Sequence, residues 1–296
     1  MRKALGRLSA AVALAALIVC DATAQTIVVG GKSFTEQQIM TAMTVALLKA
    51  KGFTPDRKAG MGSAAVRAAL ENGQIDVYWE YTGTALTVYN KINDKFASAE
   101  EAYRKIKEVD AAKGIVWLNM SRVNNTYAFA MNRDDAQKRG LVTMSDFAKA
   151  VKSDPKLTFA SNAEFYARPD GLPGWQSAYG FEFERDNVKR MDTGLTYTAL
   201  KERQVDSAVV FATDGRIPAF NFVVLKDDKN YAPPYNLTPV VRKEVLDKNP
   251  RLADLLNSIS AKLNDETMAK LNASVDVDKK TPEEVAEGFL KANALI

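Results

Sequence analysis

The stretch Asp76-Val77-Tyr78-Trp79-Glu80-Tyr81-Thr82-Gly83-Thr84 places three aromatic rings and two carboxylates within nine residues. Its first part has the apolar and aromatic character of a strand, and the Thr-Gly-Thr that follows is typical of a turn. Ring faces attract cations, and each cation–π contact contributes roughly 0.5–2 kcal/mol, so these residues suit a cleft for a permanently charged cation. The alternative is that the rings fill a hydrophobic core, where most aromatic side chains lie.

Strand and helix signals alternate on the N-terminal side of this stretch. Residues 26–29 are a short β-branched run, and a helix is predicted from Thr35 to Gly52. A second helix over residues 64–72 and a strand over residues 75–78 follow. This order predicts an α/β layer architecture.

The loop Gly60-Met61-Gly62-Ser63 lies directly before the second predicted helix. Backbone N–H groups at a helix N-terminus bind anions, so the loop could receive one. It lacks both the Lys-Ser/Thr of a phosphate-binding loop and the dinucleotide-binding spacing, and a plain tight turn is the favoured alternative.

The second half of the chain carries a further set of strand and helix signals. Strands are predicted at residues 127–131, 157–160, 205–211 and 222–225, and helices at 145–151 and 198–203. Thr281-Pro282-Glu283-Glu284 predicts a capping box with proline at the first helical position. An alternating chain of this length favours two lobes. We expect lobe 1 to comprise residues 25–125 plus 213–296 and lobe 2 residues 126–212, with a ligand trapped between them.

Composition restricts the chemistry and the location. Residues 1–24 have the basic start, apolar run and small-residue cleavage site of an export signal, with cleavage near Ala24 and a periplasmic location. A lipoprotein anchored at Cys20, the single cysteine, is the alternative.

The chain has no histidine, which removes the usual catalytic triad and nearly every transition-metal site. We expect no metal, no cofactor and no catalytic residue. Because the net charge is only +4 and the two signs are mixed, nucleic acid is not an expected partner.

Several motifs together resemble those of the osmoprotectant-binding proteins of bacterial ABC importers. They run in the expected order along the chain: Gly31-Lys32-Ser33-Phe34-Thr35-Glu36-Gln37, Val77-Tyr78-Trp79-Glu80-Tyr81-Thr82-Gly83-Thr84, Asn124-Asn125-Thr126-Tyr127-Ala128, Arg168-Pro169-Asp170-Gly171-Leu172, Thr213-Asp214-Gly215-Arg216, Leu225-Lys226-Asp227-Asp228 and Pro233-Pro234-Tyr235. The resemblance implies a type II periplasmic-binding-protein-like fold of the α/β class, with the ligand cleft between two lobes. It also implies capture of glycine betaine, choline, carnitine or a related quaternary amine.

The family holds the ligand's trimethylammonium group in a cage of aromatic rings. By motif, the resemblance assigns three cage positions to Tyr81, Tyr127 and Tyr235. The fourth falls on Phe211, where many relatives carry tyrosine, so the ring face is kept while its hydroxyl is lost. A second departure is Trp79, where the family commonly has proline; we expect its indole to pack inside a lobe rather than line the cleft.

For a ligand that carries a carboxylate, the resemblance also assigns hydrogen-bond donors to Lys32, Thr84 and Arg168. Arg168 can offer a bidentate fork to a carboxylate; the alternative is a structural bridge to Asp170. An ordinary solvated lysine is the alternative for Lys32. Asn125 is a candidate for orienting Tyr127 or bonding in the cleft, with a turn role as its alternative.

The leading hypothesis is therefore an exported, monomeric, non-enzymatic binding protein that delivers a quaternary amine to an ABC permease in the inner membrane. A binding protein for another small solute, such as an amino acid, is the first alternative. It needs an acid in the cleft to meet a primary ammonium, and Glu80 or Asp76 are the candidates. A carboxylate-dependent hydrolase using Glu80 and Asp214 is the alternative from another class.

Overall fold

The computed structural model describes residues 26–296, which form two five-stranded sheets covered by helices. The signal peptide expected at residues 1–24, its cleavage site and Cys20 lie outside the described residues. The strands are β1 (Thr26–Lys32), β2 (Thr54–Met61), β3 (Val77–Tyr81), β4 (Ile115–Trp117), β5 (Tyr127–Asn132), β6 (Phe159–Ser161), β7 (Val188–Arg190), β8 (Ser207–Phe211), β9 (Phe222–Val224) and β10 (Leu237–Arg242).

The helices lie between the strands and form the C-terminal tail. They are α1 (Thr35–Ala50), α2 (Ser63–Glu71), α3 (Thr82–Thr84), α4 (Ala99–Ala111), α5 (Arg133–Arg139), α6 (Met144–Ser153), α7 (Ala163–Ala167), α8 (Leu172–Tyr179), α9 (Thr193–Lys201), α10 (Arg216–Ala219), α11 (Lys243–Lys248), α12 (Arg251–Ser260), α13 (Asp265–Asp276) and α14 (Pro282–Ala292). A π-helical turn (Ala85–Tyr89) continues α3, and a 3₁₀ turn (Arg185–Asn187) precedes β7. Within residues 26–296, the helices are all too short or too polar to cross a membrane.

The first sheet has the strand order β2-β1-β3-β10-β4. Strands β1, β2 and β3 are parallel, whereas β10 returns antiparallel between β3 and β4. All five residues of β3 are buried, because α1 covers one face of the sheet and α2 and α4 the other. The predicted strand around Tyr78 is therefore the centre of this sheet, with its C-terminal end at Tyr81.

The second sheet has the strand order β7-β6-β8-β5-β9. Strand β5 is antiparallel to both β8 and β9, and β6 is parallel to its neighbours β7 and β8. The register pairs Tyr127 with Phe211, so these two candidate site residues lie side by side at the same end of adjacent strands. A cluster of aromatic residues fills one face, with Phe129 stacked on Phe159 (4.7 Å between ring centroids).

Strand pairing differs from the expected lobe boundary at residue 212. Strand β9 pairs with β5 of the second sheet, and the N–H of Leu225 donates to the carbonyl of Phe129. Residues 222–225 thus belong with the second sheet, although the prediction placed residues 213–296 with the first. The chain returns to the first sheet near Asn236, which bridges Asn124.

Several local predictions are confirmed, and others are corrected. Helix α1 begins at Thr35, and α14 has the predicted capping box, in which Thr281 and Glu284 exchange hydrogen bonds. The helix predicted at residues 198–203 begins earlier, at Thr193. Strands β2 and β10 carried no recognised strand signal, and the first part of the predicted glycine loop is the end of β2.

Candidate functional site

The turn after β3 holds Tyr81 and the loop that carries Tyr235 in place. Tyr81 ends the strand, and Thr82 begins the turn. The Thr82 hydroxyl donates to the carbonyl of Pro234 (2.8 Å) and accepts from the N–H of Asn236 (3.0 Å). These bonds fix the loop that carries Tyr235 against the turn.

Gly83 allows the Tyr235 ring to approach the turn closely. A Cβ atom at position 83 would lie 2.9 Å from two atoms of that ring and 3.0 Å from the carbonyl oxygen of Pro234. Carbon atoms in contact normally stay about 3.5–4.0 Å apart, so any larger residue would displace the ring. The glycine of the Thr-Gly-Thr segment therefore has a packing role at the site.

Five aromatic rings form a continuous arc at the junction of the two sheets. The ring centroids are separated by 6.2 Å for Tyr81 and Phe34, 4.9 Å for Phe34 and Phe211, 5.1 Å for Phe211 and Tyr127, and 6.2 Å for Tyr127 and Tyr235. The structure thus brings together all four predicted cage residues, from β3, β5, β8 and the loop before β10.

Phe34 is the ring that the sequence prediction did not include. It lies in the short loop between β1 and α1 and stacks on Phe211 with an interplanar angle of 17°. Its position inside the Gly-Lys-Ser-Phe-Thr-Glu-Gln motif was the sequence signal that could have identified it as a site residue. It is half-buried and lines the space between the rings.

The space enclosed by the arc is small, and a larger cleft adjoins it. Its volume is about 20 Å³, and its lining is Phe34, Tyr81, Thr84, Asn125, Tyr127, Arg168, Phe211 and Tyr235. This volume holds about one water molecule, so the rings must move apart to admit a trimethylammonium group. The adjoining cleft of about 1040 Å³ is lined from both sheets, by Lys32 and Phe34 on one side and by residues of α7 and β7 on the other.

Two of the tyrosine hydroxyls donate to buried carboxylates. The Tyr81 hydroxyl donates to Glu36 (2.6 Å), and the Tyr235 hydroxyl donates to Asp170. Burial raises the pKa of both phenols well above the usual value, and the neighbouring carboxylates raise it further. Both rings are therefore neutral phenols with a fixed orientation.

Arg168 lines the enclosed space but already has a carboxylate partner. Its guanidinium donates twice to Asp170 (2.9 and 2.5 Å) and more weakly to Thr84 (3.4 Å). It also lies 5.4 Å from the centroid of the Tyr127 ring. Burial favours a raised pKa for Asp170, but the Arg168 guanidinium outweighs it and holds that pKa below the usual range. The Asp170 bridge considered as an alternative is thus present in this structure.

Lys32 is neither solvated nor part of the wall of the enclosed space. It is 3% exposed, lines the adjoining cleft, and its ammonium lies 2.6 Å from Glu80. Burial lowers the pKa of Lys32, and the Glu80 carboxylate opposes that shift. The alternative of an ordinary surface lysine is wrong, because the side chain is enclosed beside Glu80 and 5.1 Å from the Tyr81 ring centroid.

Asn125 lies where the chain passes from the first sheet to the second. Its amide nitrogen donates to Glu36 (3.1 Å), and its amide oxygen accepts from the N–H of Thr213 (3.3 Å). Its own N–H donates to the carbonyl of Tyr235 (3.0 Å). Asn125 therefore ties together the segments that precede or follow three of the rings.

Trp79 packs inside a lobe, as predicted, and two further aromatic residues are buried in the same way. Trp79 is 1% exposed, and its indole N–H donates to the Thr44 hydroxyl (2.9 Å) inside the first lobe. Tyr78 is fully buried on the opposite face of β3. Tyr197 is also buried, and its hydroxyl accepts from the N–H of Phe211 (2.8 Å), which fixes the end of β8.

The acids considered for other functions are engaged elsewhere. Glu80 is fully buried and accepts from Lys32, Tyr78 and Tyr89. Asp76 accepts from the N–H of Val28 (2.8 Å). Asp214 receives two hydrogen bonds from the Arg216 guanidinium (2.9 and 2.6 Å). None of these three acids lines the space enclosed by the rings.

At the predicted glycine loop, the N-terminus of α2 donates hydrogen bonds to a carboxylate from the helix that follows β6 of the second sheet. Glu164 of α7 accepts from the N–H (2.7 Å) and the hydroxyl (2.8 Å) of Ser63, the first residue of α2. Burial favours a raised pKa for Glu164, but these bonds and the charges of Lys32 and Arg168 outweigh it and hold the pKa below its usual range. The anion expected as one possibility at this loop is thus a side chain of the protein itself.

Comparison with known proteins connects this arrangement to a family. Residues 25–292 match the substrate-binding domain of the ABC-type glycine betaine transport system. The glycine-betaine-binding protein of Pseudomonas aeruginosa is 46% identical over 281 residues, covering 93% of this chain and 90% of that protein. The glycine betaine-binding protein YehZ of Escherichia coli is 31% identical over 288 residues, covering 95% and 94%.

Solved structures agree with these sequence relatives. The crystal structure of a glycine betaine/carnitine/choline ABC transporter component has a TM-score of 0.73 at 31% identity, covering 91% of this chain and 99% of that one. The predicted two-lobe α/β fold and the predicted family resemblance are both confirmed. This chain belongs to the family of substrate-binding domains of ABC-type glycine betaine transport systems.

Proposed function

We propose that this protein captures a small quaternary amine such as glycine betaine, choline or carnitine in the arc of aromatic rings between its lobes. The observation that carries the proposal is the arc itself: Phe34 and Tyr81 come from the first sheet's layer, and Tyr127 and Phe211 from the second. A cation held between them contacts ring faces from both lobes, so its binding favours closure.

The lining of the enclosed space supports a quaternary rather than a primary amine. A primary ammonium has three N–H donors and needs acceptors in contact with it, usually carboxylates. The eight lining residues include no aspartate or glutamate. A quaternary ammonium has no N–H to donate, so ring faces, shape and the removal of water supply its affinity.

The same reasoning extends to the partners and the location. The family is one of ABC transport systems, which supports delivery of the ligand to an ABC permease. We propose that the permease lies in the inner membrane and that this protein is periplasmic, monomeric and non-enzymatic. The pairing of Glu80 with Lys32 and of Asp214 with Arg216 further supports the absence of carboxylate catalysis. Thr84 and Arg168 are the proposed donors to a ligand carboxylate, with Arg168 shared between that group and Asp170.

The test is isothermal titration calorimetry of the mature protein with glycine betaine, choline, carnitine and simple amino acids. Quaternary amines should bind and primary amino acids should not. Tyr81→Ala and Tyr235→Ala should each weaken binding at least tenfold, since each removes one ring of the arc. Tyr103→Ala is the matched control, because its ring lies on α4 outside the arc and its hydroxyl bonds to Leu118. No heat with any quaternary amine at millimolar concentration would refute the proposal.

A further inference from the structure

Glu36 is a buried carboxylate directly behind the aromatic arc. It is 2% exposed and accepts four hydrogen bonds from side chains. The donors are the Tyr81 hydroxyl (2.6 Å), the Thr213 hydroxyl (2.6 Å), the Asn125 amide (3.1 Å) and the Asn272 amide (3.3 Å). Neither the family resemblance nor the cage assignment gave this residue a role.

The surroundings of Glu36 are arranged for its ionised form. Gln37 donates to the Tyr81 oxygen (3.1 Å), which leaves the Tyr81 proton directed at Glu36. The Asn125 amide oxygen accepts from the N–H of Thr213, so its NH₂ group is the one that faces Glu36. The Tyr81 phenol and the two amide NH₂ groups donate to Glu36, and hydrogen bonds to the charged form of an acid favour that form.

This carboxylate has no cationic partner among residues 26–296. The other acids around the arc do: Glu80 pairs with Lys32, and Asp170 with Arg168. Burial raises the pKa of Glu36, and the hydrogen bonds from neutral groups oppose that shift only in part. Buried charges in proteins are normally paired, because removing an ion from water is costly. A negative charge is therefore kept behind the arc without its counter-charge.

The position of Glu36 in the chain connects it to four of the five rings. It contacts Tyr81 directly and lies two residues after Phe34. Its partner Asn125 lies two residues before Tyr127, and its partner Thr213 lies two residues after Phe211. A cation in the arc would thus be near the carboxylate, with the Tyr81 phenol between them.

We propose that Glu36 is the counter-charge of the bound ligand and makes the site select a permanent cation over a neutral molecule of the same shape. The proposal rests on the proposed function. Hydrogen bonding to a carboxylate also increases the electron density of the Tyr81 ring, which strengthens its cation–π contact. For two opposite charges about 8 Å apart at an effective dielectric constant of about 20, the attraction corresponds to roughly a thirtyfold change in Kd.

The test compares choline with its neutral carbon isostere 3,3-dimethylbutan-1-ol by calorimetry and by competition. In Glu36→Gln, choline affinity should fall roughly thirtyfold while the affinity of the isostere changes little. Thr213→Val is the matched control: it disturbs the same hydrogen bonds but keeps the charge, so any loss should be equal for the two ligands. An equal loss for both ligands in Glu36→Gln would overturn the inference, since it would show a purely structural role.

A pH profile gives a second readout that does not depend on the isostere. Burial raises the pKa of Glu36. Choline carries a permanent charge, so its wild-type affinity should fall as pH is lowered and Glu36 protonates, whereas the affinity of Glu36→Gln should not depend on pH. The other charged groups facing this side of the arc are Asp192, Asp214, Arg216 and Asp276. Burial also raises the pKa of Asp276, so Asp276→Asn, which should keep the pH dependence, separates the two acids.

The outcomes distinguish this inference from the proposed function. If wild type binds no quaternary amine, the proposed function fails. If wild type binds choline but Glu36→Gln retains the pH dependence, only the role of Glu36 is refuted.

Discussion

The contact between Glu164 and Ser63 should determine how firmly the two lobes close. Glu164 follows β6 of the second sheet, whereas Ser63 begins α2, which packs on the first. The two residues are joined by two hydrogen bonds to an ionised acceptor, at 2.7 and 2.8 Å. Opening the lobes must break both bonds and leave the N-terminus of α2 without this cap.

The size of the effect follows from the geometry and the exposure. A hydrogen bond to a charged group contributes about 1.5–3 kcal/mol when buried. The Glu164 side chain is 39% exposed, and solvent screening reduces the two bonds together to about 2 kcal/mol. Glu164→Ala should therefore raise Kd for a quaternary amine by roughly thirtyfold. Glu164→Gln keeps an acceptor but loses the charge, so it should raise Kd by about fivefold.

The assay is calorimetry for Kd and stopped-flow fluorescence for the dissociation rate. Glu284→Ala is the matched control, because Glu284 also accepts from an N–H and a hydroxyl at a helix N-terminus, but within one lobe. It should lower the unfolding free energy by about 1 kcal/mol and leave Kd unchanged. Ser63→Ala, which preserves every charge, should weaken binding by a few-fold. The reasoning is wrong if Glu164→Ala binds as tightly as wild type.

Protonation of Glu164 should weaken its contact with Ser63 only at acidic pH. The pKa of Glu164 in the folded protein is held below its usual range, so the stabilisation is complete at neutral pH and is lost as pH falls through that lowered pKa. Binding measured above about pH 5 should therefore show no pH dependence that comes from Glu164. A Glu164→Gln variant whose Kd ratio to wild type changes between about pH 7.5 and about pH 5 would contradict the assignment.

Substitutions at three further positions separate binding from stability. Phe211→Ala should raise Kd at least tenfold in calorimetry, whereas Phe211→Tyr, which keeps the ring face, should stay within about threefold of wild type. Trp79→Phe removes the hydrogen bond to Thr44 and should cost about 1–2 kcal/mol in urea unfolding without changing Kd. Asp110→Asn breaks the buried bidentate pair with Arg67 and should cost about 3–5 kcal/mol in the same assay; a loss under about 1 kcal/mol would contradict it.

The sequence predicted elements whose signals are local. Helix α1 has an apolar face and a glycine end, and the cap of α14 is contained in four residues. Strand β2 was missed because its residues are mostly exposed and polar. Strand β10 was missed because Pro239 lies inside it, and proline argues against a central strand. The pairing of β10 with β4 begins at Val240, so Pro239 lies outside the residues that are paired with β4.

The candidate site was predictable as a set of rings but not as a network. The four cage positions came from motif resemblance, and the same motifs contained Phe34. The contacts of Glu36 could not be found this way, because Thr213 and Asn272 lie 177 and 236 residues away in the chain. The partner of Arg168 was two residues away and was therefore foreseeable as an alternative.

The two carboxylates that act on the site should affect different steps, because of where they lie relative to the chain crossings. Glu36 bonds to Asn125, which lies where the chain passes from the first sheet to the second, and to Thr213, which follows β8. A lobe rotation about this crossing moves nearby atoms little, so the Glu36 charge should act on the ligand in open and closed forms alike. Glu164 holds a contact between opposite lobes that exists only after closure, so it acts on the dissociation rate. The Glu36 charge should therefore attract the ligand before the lobes close, and the Glu164 contact should hold the lobes together after closure.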